Sequence, residues 1–405
     1  MAEDVYDLCI VGAGMFGSAA ARHASTNSRL KVCLIGPREP TVEESKDRKI
    51  FSSHYDEGRI VQIMEENTHL TVLSKHSISR FPETEKMSGI KFYNPVGFLL
   101  ASEKENKNMI NLTQTLLSHN IPFLDLSDND AFKKRFPYLQ LESCDCRLFD
   151  ANGAGYVSAR KLVEAQKKVA SSQGCKIIED IVCEVNDLDG GIHKIITEKN
   201  KIIKAKKVLI CAGAFTNYNR LQPVGKVKMI INKETVAMLR LSEQEAKNLS
   251  SMPSMTYFMK RDDLPHLLNG AYILPPMQYP DGQYYLKAGR DGILPRSTEP
   301  SLEEVQKWYN NDGDVELVDQ LLCLLKQLLP NVKFEQVGSK TCLTCHNSTG
   351  LPYVDCVTPT ISIAAVGNGC GAVICDEIGR IAAELSTSGK WVSELPKSLF
   401  EARLE

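Results

Sequence analysis

Residues Tyr6 to Gly36 run YDLCIVGAGMFGSAAARHASTNSRLKVCLIG, and the apolar runs and glycines in them set the architecture. Leu8-Cys9-Ile10-Val11 has the length of one buried parallel strand. Gly12, Gly14 and Gly17 follow in G-x-G-x-x-G spacing. The small residues Ser18-Ala19-Ala20-Ala21 then start a helix able to lie close to a sheet, and Val32-Cys33-Leu34-Ile35 closes a βαβ unit. Gly12 permits the tight turn, Gly14 lets backbone approach a phosphate, and Gly17 lets the helix rest on the strand. Free N–H groups and the dipole at the helix start hold an anion. The glycines alone would fit a turn in another α/β protein; with a strand, a helix and a second strand around them they read as a dinucleotide pyrophosphate cradle. The acidic residue that usually ends the second strand and binds the adenosine ribose is Gly36 here, followed by Pro37-Arg38-Glu39. Glu39, a backbone group and a loosely held ribose are the alternatives.

A chain of 405 residues suits two domains of about 150–200 residues each. With 43% hydrophobic and 24% charged residues and a net charge of −2, it has the composition of an ordinary globular protein, without the basic excess of a nucleic-acid binder. No apolar run approaches the ~20 residues needed to span a bilayer, and Met-Ala-Glu-Asp lacks the layout of a signal peptide. Thirteen scattered cysteines read as reduced thiols, and Cys144-x-Cys146 and Cys342-x-x-Cys345 lack the further ligands of a zinc site. No metal, nucleic acid or membrane is expected as partner.

Ile50 to Gln62 is dense in hydroxyl, imidazole and guanidinium groups and runs into a helix ending near Ser79. Arg59 there reads equally as a planar cation beside a ring cofactor or as an ordinary surface ion pair. Ile90 to Ala101 reads as strand, and Ser158 caps a helix from Ala159 to about Ser172. Lys176–Val185, Ile192–Thr197 and Ile202–Ala205 read as three strands. Lys207 to Phe215 is an apolar strand ending in Ala212-Gly213-Ala214, which brings bare backbone to the cofactor again. From about Val224 to Arg296 alternating segments predict a largely antiparallel sheet, with Lys287 by default an exposed strand lysine. Ile361 to Val366 and Gly367-Asn368-Gly369-Cys370-Gly371 form a second strand and Gly-rich loop, followed by a helix from about Val373 to Ser386. The fold class is α/β: a Rossmann-like domain (1–85, 150–222, 334–405) interleaved with an antiparallel-sheet α+β substrate domain (86–149, 223–333).

Assembled in order, these pieces resemble the FAD-dependent amine oxidases of the D-amino-acid-oxidase superfamily, above all the monomeric sarcosine oxidase and pipecolate oxidase branch. The likeness covers nearly the whole chain. It rests on Gly12-Ala13-Gly14-Met15-Phe16-Gly17, on Ser53-His54-Tyr55-Asp56-Glu57-Gly58-Arg59-Ile60, on Val208 to Phe215, on Tyr272 with Leu286-Lys287-Ala288-Gly289, and on Lys340-Thr341-Cys342 with Asp355 and Gly369-Cys370-Gly371. The resemblance implies that Gly12, Gly14, Met15, Phe16, Gly17, Ser53, His54, Arg59, Val182, Ala212, Gly213, Gly369, Cys370, Gly371 and Val373 contact FAD. It implies a covalent thioether through Cys342. Arg59 would lie against the flavin ring, Lys287 would promote reaction with oxygen by stabilising developing negative charge, and Tyr272 would line the substrate side. A secondary amine or imino amino acid would be oxidised at its C–N bond, with molecular oxygen as acceptor and hydrogen peroxide as product. Alternatives are a dehydrogenase with another acceptor and a flavin protein without turnover. A monomer is expected, cytoplasmic or peroxisomal; Ala402-Arg403-Leu404 resembles a peroxisomal address except that Glu405 follows it.

Three departures bear on the substrate. The lysine that binds substrate carboxylate in this family is Val373 here, and its partner arginine is Gln62. The aromatic and histidine after the oxygen lysine are Arg290-Asp291. Either the substrate lacks a carboxylate near its amine, or Arg290 has taken over that charge. Strand alternation places Arg290 opposite Lys287 unless Gly289 bends the chain.

Overall fold

The computed structural model describes residues 5–405 except 142, 189, 222–224, 260, 268–269 and 293–298. The Met1–Asp4 leader reading, the boundary at 222/223 and the end of the alternating stretch at Arg296 lie outside the described residues.

The apolar run after Asp7 becomes the centre of an eight-stranded sheet. Val5–Val11 pairs in parallel with Val32–Ile35 on one side and with Ile202–Ile210 on the other. Ile202–Ile210 is long enough to serve two neighbours: its first half pairs with Ile192–Thr197 and its last residues pair in parallel with Ile361–Ala365. Helix Met15–Ala24 rests on this sheet and against helix Gly371–Ser388. That contact needs small residues, because a Cβ on Gly379 would stand 2.5 Å from the Ala19 Cβ.

The second sheet runs in the order Gln336–His346, Ile230–Leu241, Tyr284–Arg290, Gly270–Gln278, Ser254–Phe258, Phe98–Ser102, Cys146–Asp150, Leu124–Asp125. It is antiparallel except where Ser254–Phe258 meets Phe98–Ser102. Helix Val315–Leu328 covers it with Leu317, Leu321, Leu324 and Leu325, all fully buried. A three-stranded sheet of Arg59–Val61, Gly155–Val157 and Tyr93–Asn94 lies beside these and sets Arg59 at a strand start.

Three sequence expectations are corrected. The stretch after 334, assigned to the cofactor domain, is strand Gln336–His346 and pairs along the whole of Ile230–Leu241 in the antiparallel sheet. Lys176–Val185 is not one strand: Lys176–Ile178 lies beside Val32–Ile35, and Val182–Leu188 forms the opposite edge with Ile192–Thr197. The alternating stretch from about Val224 joins the antiparallel sheet only from Ile230, in the one long strand Ile230–Leu241, and Val227 instead bridges to Leu404.

Candidate active site

A cavity of about 1020 Å³ lies where the two large sheets meet. Gly12, Gly14, Met15, Phe16, Ser53, His54, Arg59, Val182, Ala212, Gly213, Cys342, Gly369, Cys370, Gly371 and Val373 line it, as do Gln62, Tyr272, Lys287 and Arg290. Gly17 alone among the sequence candidates stands behind the wall. A Cβ there would sit 1.8 Å from the Gly12 carbonyl oxygen, so its role is the close seat of helix on loop.

The glycine end of the cavity is built to take an anion. Gly12 has φ +105, and a Cβ on it would meet the Cys211 carbonyl oxygen at 2.3 Å. Helix Met15–Ala24 begins with no side-chain cap and no acid in its first turn, which leaves its first amides for an anion. Helix Gly371–Ser388 also starts at the cavity without a side-chain cap or an early acid. Val366 (φ +66) and Asn368 (φ +49) lead into it with backbone that a β-branched residue rarely adopts. The Asn368 side chain holds that turn by accepting from Asn347 N at 2.9 Å and donating to the Val366 carbonyl at 3.0 Å. Gly36 is a close approach, since a Cβ there would lie 2.4 Å from Ala13 N. Glu39 lines the cavity with both oxygens at 2.6 Å from Arg160.

Lys287 is 1% exposed, so the default of an exposed strand lysine does not hold. Its ammonium donates to Asp56 Oδ2 at 2.5 Å and to the Gly58 carbonyl at 2.9 Å. The same carboxylate accepts from the Arg59 guanidinium and, at 2.6 Å, from the Tyr279 hydroxyl. Arg59 also donates to the Ser53 carbonyl at 2.7 Å. Burial works against the Asp56 charge, but Lys287 and Arg59 hold it well below the usual carboxylate range. Burial, then Arg59, pull Lys287 down to about 8. Sequence reasoning singled out neither Asp56 nor Tyr279. The signal was thin: an acid three residues before Arg59.

Lys287 Nζ is 5.9 Å from the Tyr272 ring centroid. Gly289 does not bend the strand; a Cβ there would be 2.6 Å from the Tyr272 ring, so the glycine makes room for the tyrosine. Arg290, the last residue of its strand, borders the same cavity as Lys287 and meets Glu234 at 3.4 Å. Burial pushes the Cys342 thiol up, while Arg59 and Lys287 pull it down. Asp355 is absent from the cavity wall and instead accepts from Ala402 N at 3.2 Å. His54 is buried with Nδ1 2.6 Å from the Ser52 hydroxyl, and burial pushes it down to about 3, so it is neutral.

A family model described as FAD dependent oxidoreductase matches residues 7–385. The peroxisomal sarcosine oxidase of Mus musculus is 22% identical over 386 residues, 95% of this chain and 92% of that protein. Among solved structures, NikD, an amino acid oxidase essential for nikkomycin biosynthesis, superposes with a TM-score of 0.77 at 17% identity, covering 99% of each chain. The L-proline dehydrogenase of P. horikoshii superposes at 0.73 and 16% identity, covering 98% of this chain and 97% of that one. At such identities the structures share the fold.

Proposed function

The chain belongs to the FAD dependent oxidoreductase family, and on that premise we propose that it is an oxidase of the C–N bond of a secondary amine, using molecular oxygen and releasing an imine and hydrogen peroxide. FAD, when bound, supplies the two-electron chemistry. The chain's own residues bind, orient and polarise. The Gly12–Gly17 turn and the start of helix Met15–Ala24 would take the pyrophosphate, with Val182, Ala212 and Gly213 beside them. Arg59 would present its guanidinium to the flavin, and Tyr272 would face the substrate. The observation that carries the reading is Lys287: a fully buried ammonium, fixed by Asp56 in the cavity wall. Such a cation stabilises negative charge developing on oxygen, which favours oxygen over another acceptor.

Cys342 is the proposed point of covalent attachment, supported by its place in the cavity wall, where burial raises its thiol and the Arg59 and Lys287 charges work against that rise. The substrate side carries Gln62 and Val373, and Arg290 shares its charge with Glu234. A buried carboxylate without a charged partner costs several kcal/mol, so the substrate lacks a carboxylate next to its amine. The free state of all thirteen cysteines supports a reducing compartment, cytoplasmic or peroxisomal.

The test is a peroxide-coupled assay of the purified yellow protein against secondary amines, N-methyl amino acids and cyclic imino acids. Sarcosine and L-pipecolate should fall far below the ~10⁴ M⁻¹s⁻¹ lower range of a physiological pair. Flavin reduction without peroxide would assign the electrons to another acceptor. Acid precipitation should leave flavin in the pellet for the parent and in the supernatant for Cys342→Ala; flavin released by acid from the parent would refute the linkage.

A further inference from the structure

Gln62 stands where the resembled enzymes carry a cation, and what surrounds it is acidic. Its amide donates to Glu65 Oε1 at 2.5 Å, and its own Oε1 is buried without a partner. Glu65, Glu66 and Asp291 all line the cavity. Burial and the neighbouring Asp291 raise Glu65 to about 7, and burial with Glu66 raises Asp291 to about 6; no cation among the described residues offsets either. The Cys370 thiol, pushed up by burial, also feels Glu65 and Asp291, so both acids look onto the Gly369–Gly371 loop.

An independent group points to the same loop. His346 is 7% exposed, its Nε2 lies 3.0 Å from the Thr344 hydroxyl, and its Nδ1 has no partner. Its Cε1, next to that Nδ1, would be 3.7 Å from a Cβ on Gly369. Burial lowers the His346 pKa, so the ring is neutral; in the tautomer that donates to Thr344, Nδ1 offers a lone pair. The same cavity also has an apolar stretch of wall in Met64, Phe98, Leu100 and Phe258.

Resting on the amine-oxidation reading above, we propose that the substrate carries a second positive charge, an ammonium separated by an alkyl chain from the nitrogen that is oxidised, and that Glu65 and Asp291 receive it. Acids that crowd the lining of one cavity are relieved by a cation bound among them. The apolar wall suits methylene groups, and the neutral acceptors at Gln62 and His346 suit the N–H bonds of the ammonium.

The FAD-loaded protein is mixed without oxygen with N-methylputrescine, with N-methylpentylamine, which replaces the second ammonium by a methyl, and with sarcosine. Flavin bleaching should be at least about tenfold more efficient for N-methylputrescine than for N-methylpentylamine, the scale of one charge pair. That ratio, taken within each protein so that general losses cancel, should collapse toward one in Glu65→Gln and in Asp291→Asn. A ratio near one in the parent, or a preference for sarcosine, overturns the second-charge proposal while leaving amine oxidation standing. If no amine bleaches the flavin, the oxidase reading fails, and putrescine binding decides the site by itself. A putrescine-dependent rise in the thermal midpoint of the parent that is lost in Glu65→Gln supports the acidic receptor, and no rise in the parent overturns it.

Discussion

Asp56 holds two cations that repel each other, Arg59 and Lys287, on one buried carboxylate. Lys287 sits near 8, so it is mostly charged at neutral pH and loses its charge as pH rises through that value. If the charged form assists oxygen, reoxidation of reduced enzyme should slow over the same interval, as stopped-flow traces against pH would show. Lys287→Met keeps bulk and removes charge. Anaerobic reduction by substrate should survive, and reoxidation should slow by about 100-fold, the scale of one lost electrostatic stabiliser. Asp56→Asn removes the anion that supports the lysine, so Lys287 deprotonates at lower pH and the break in the reoxidation profile moves to the acid side. An unmoved break with uniformly lower rates would reduce Asp56 to a structural role. At this scale the site was half legible. Arg59, Lys287 and Tyr272 stand in motifs and were named through the family resemblance those motifs carry, not from the residues alone. Their common partner could not, because Asp56 and Lys287 are 231 residues apart and only the fold joins them. Alternation set Arg290 opposite Lys287, yet both border the one cavity, because Arg290 ends its strand and reaches Glu234.

Four helices meet at a second buried carboxylate. Asp376, fully buried in helix Gly371–Ser388, accepts from Arg22 of helix Met15–Ala24, from Arg80 of helix Thr68–Ser88 at 2.5 Å and from Gln166 of helix Ala159–Ser172 at 3.2 Å. Burial opposes its charge, but His23, Arg22 and Arg80 hold it far below the ordinary range. Asp376→Asn takes this anion from the Arg22 and Arg80 guanidiniums and should cost about 3 kcal/mol, read as a lower midpoint in denaturant. The sign in acid follows: a depressed carboxylate contributes stability above its unfolded value near 4 that is lost as pH falls below it. The parent should therefore destabilise more steeply than the variant on acidification. Elements were legible where local chemistry marks them. Ser158, read as the cap of the helix from Ala159, accepts from Lys161 N at 3.3 Å. They were not legible where the break has no turn residues. Between Ile178 and Val182 the chain leaves one edge of the sheet and rejoins it at the other, across Glu179-Asp180-Ile181, with neither glycine nor proline to announce it. The strand at 336–346 was put in the wrong sheet for the opposite reason: nothing local says which sheet an extended segment will join.

Across the whole molecule, the cofactor cavity is a seam. The Gly12–Gly17 turn, proposed for the pyrophosphate, belongs to the parallel sheet and Cys342 to the edge strand of the antiparallel sheet, paired with Ile230–Leu241. The C-terminal segment crosses back over it: Leu404 bridges to Val227, and Arg403 O accepts from Lys228 N at 2.8 Å. A ligand that touches both sheets binds only when both are folded and registered, so its binding energy belongs to the unfolding of the whole chain. In Cys342→Ser the flavin should be removable, which makes this measurable. Free FAD at 100 times its dissociation constant should then stabilise the variant by about 2.7 kcal/mol. Calorimetry should show one transition that moves up as FAD is added, with the absorbance change of the released flavin tracking the heat. Two transitions, only one of them sensitive to FAD, would mean that the sheets unfold independently and that the cofactor is held by the parallel sheet alone. In that case a thioether at Cys342 would fix the flavin without coupling the two halves.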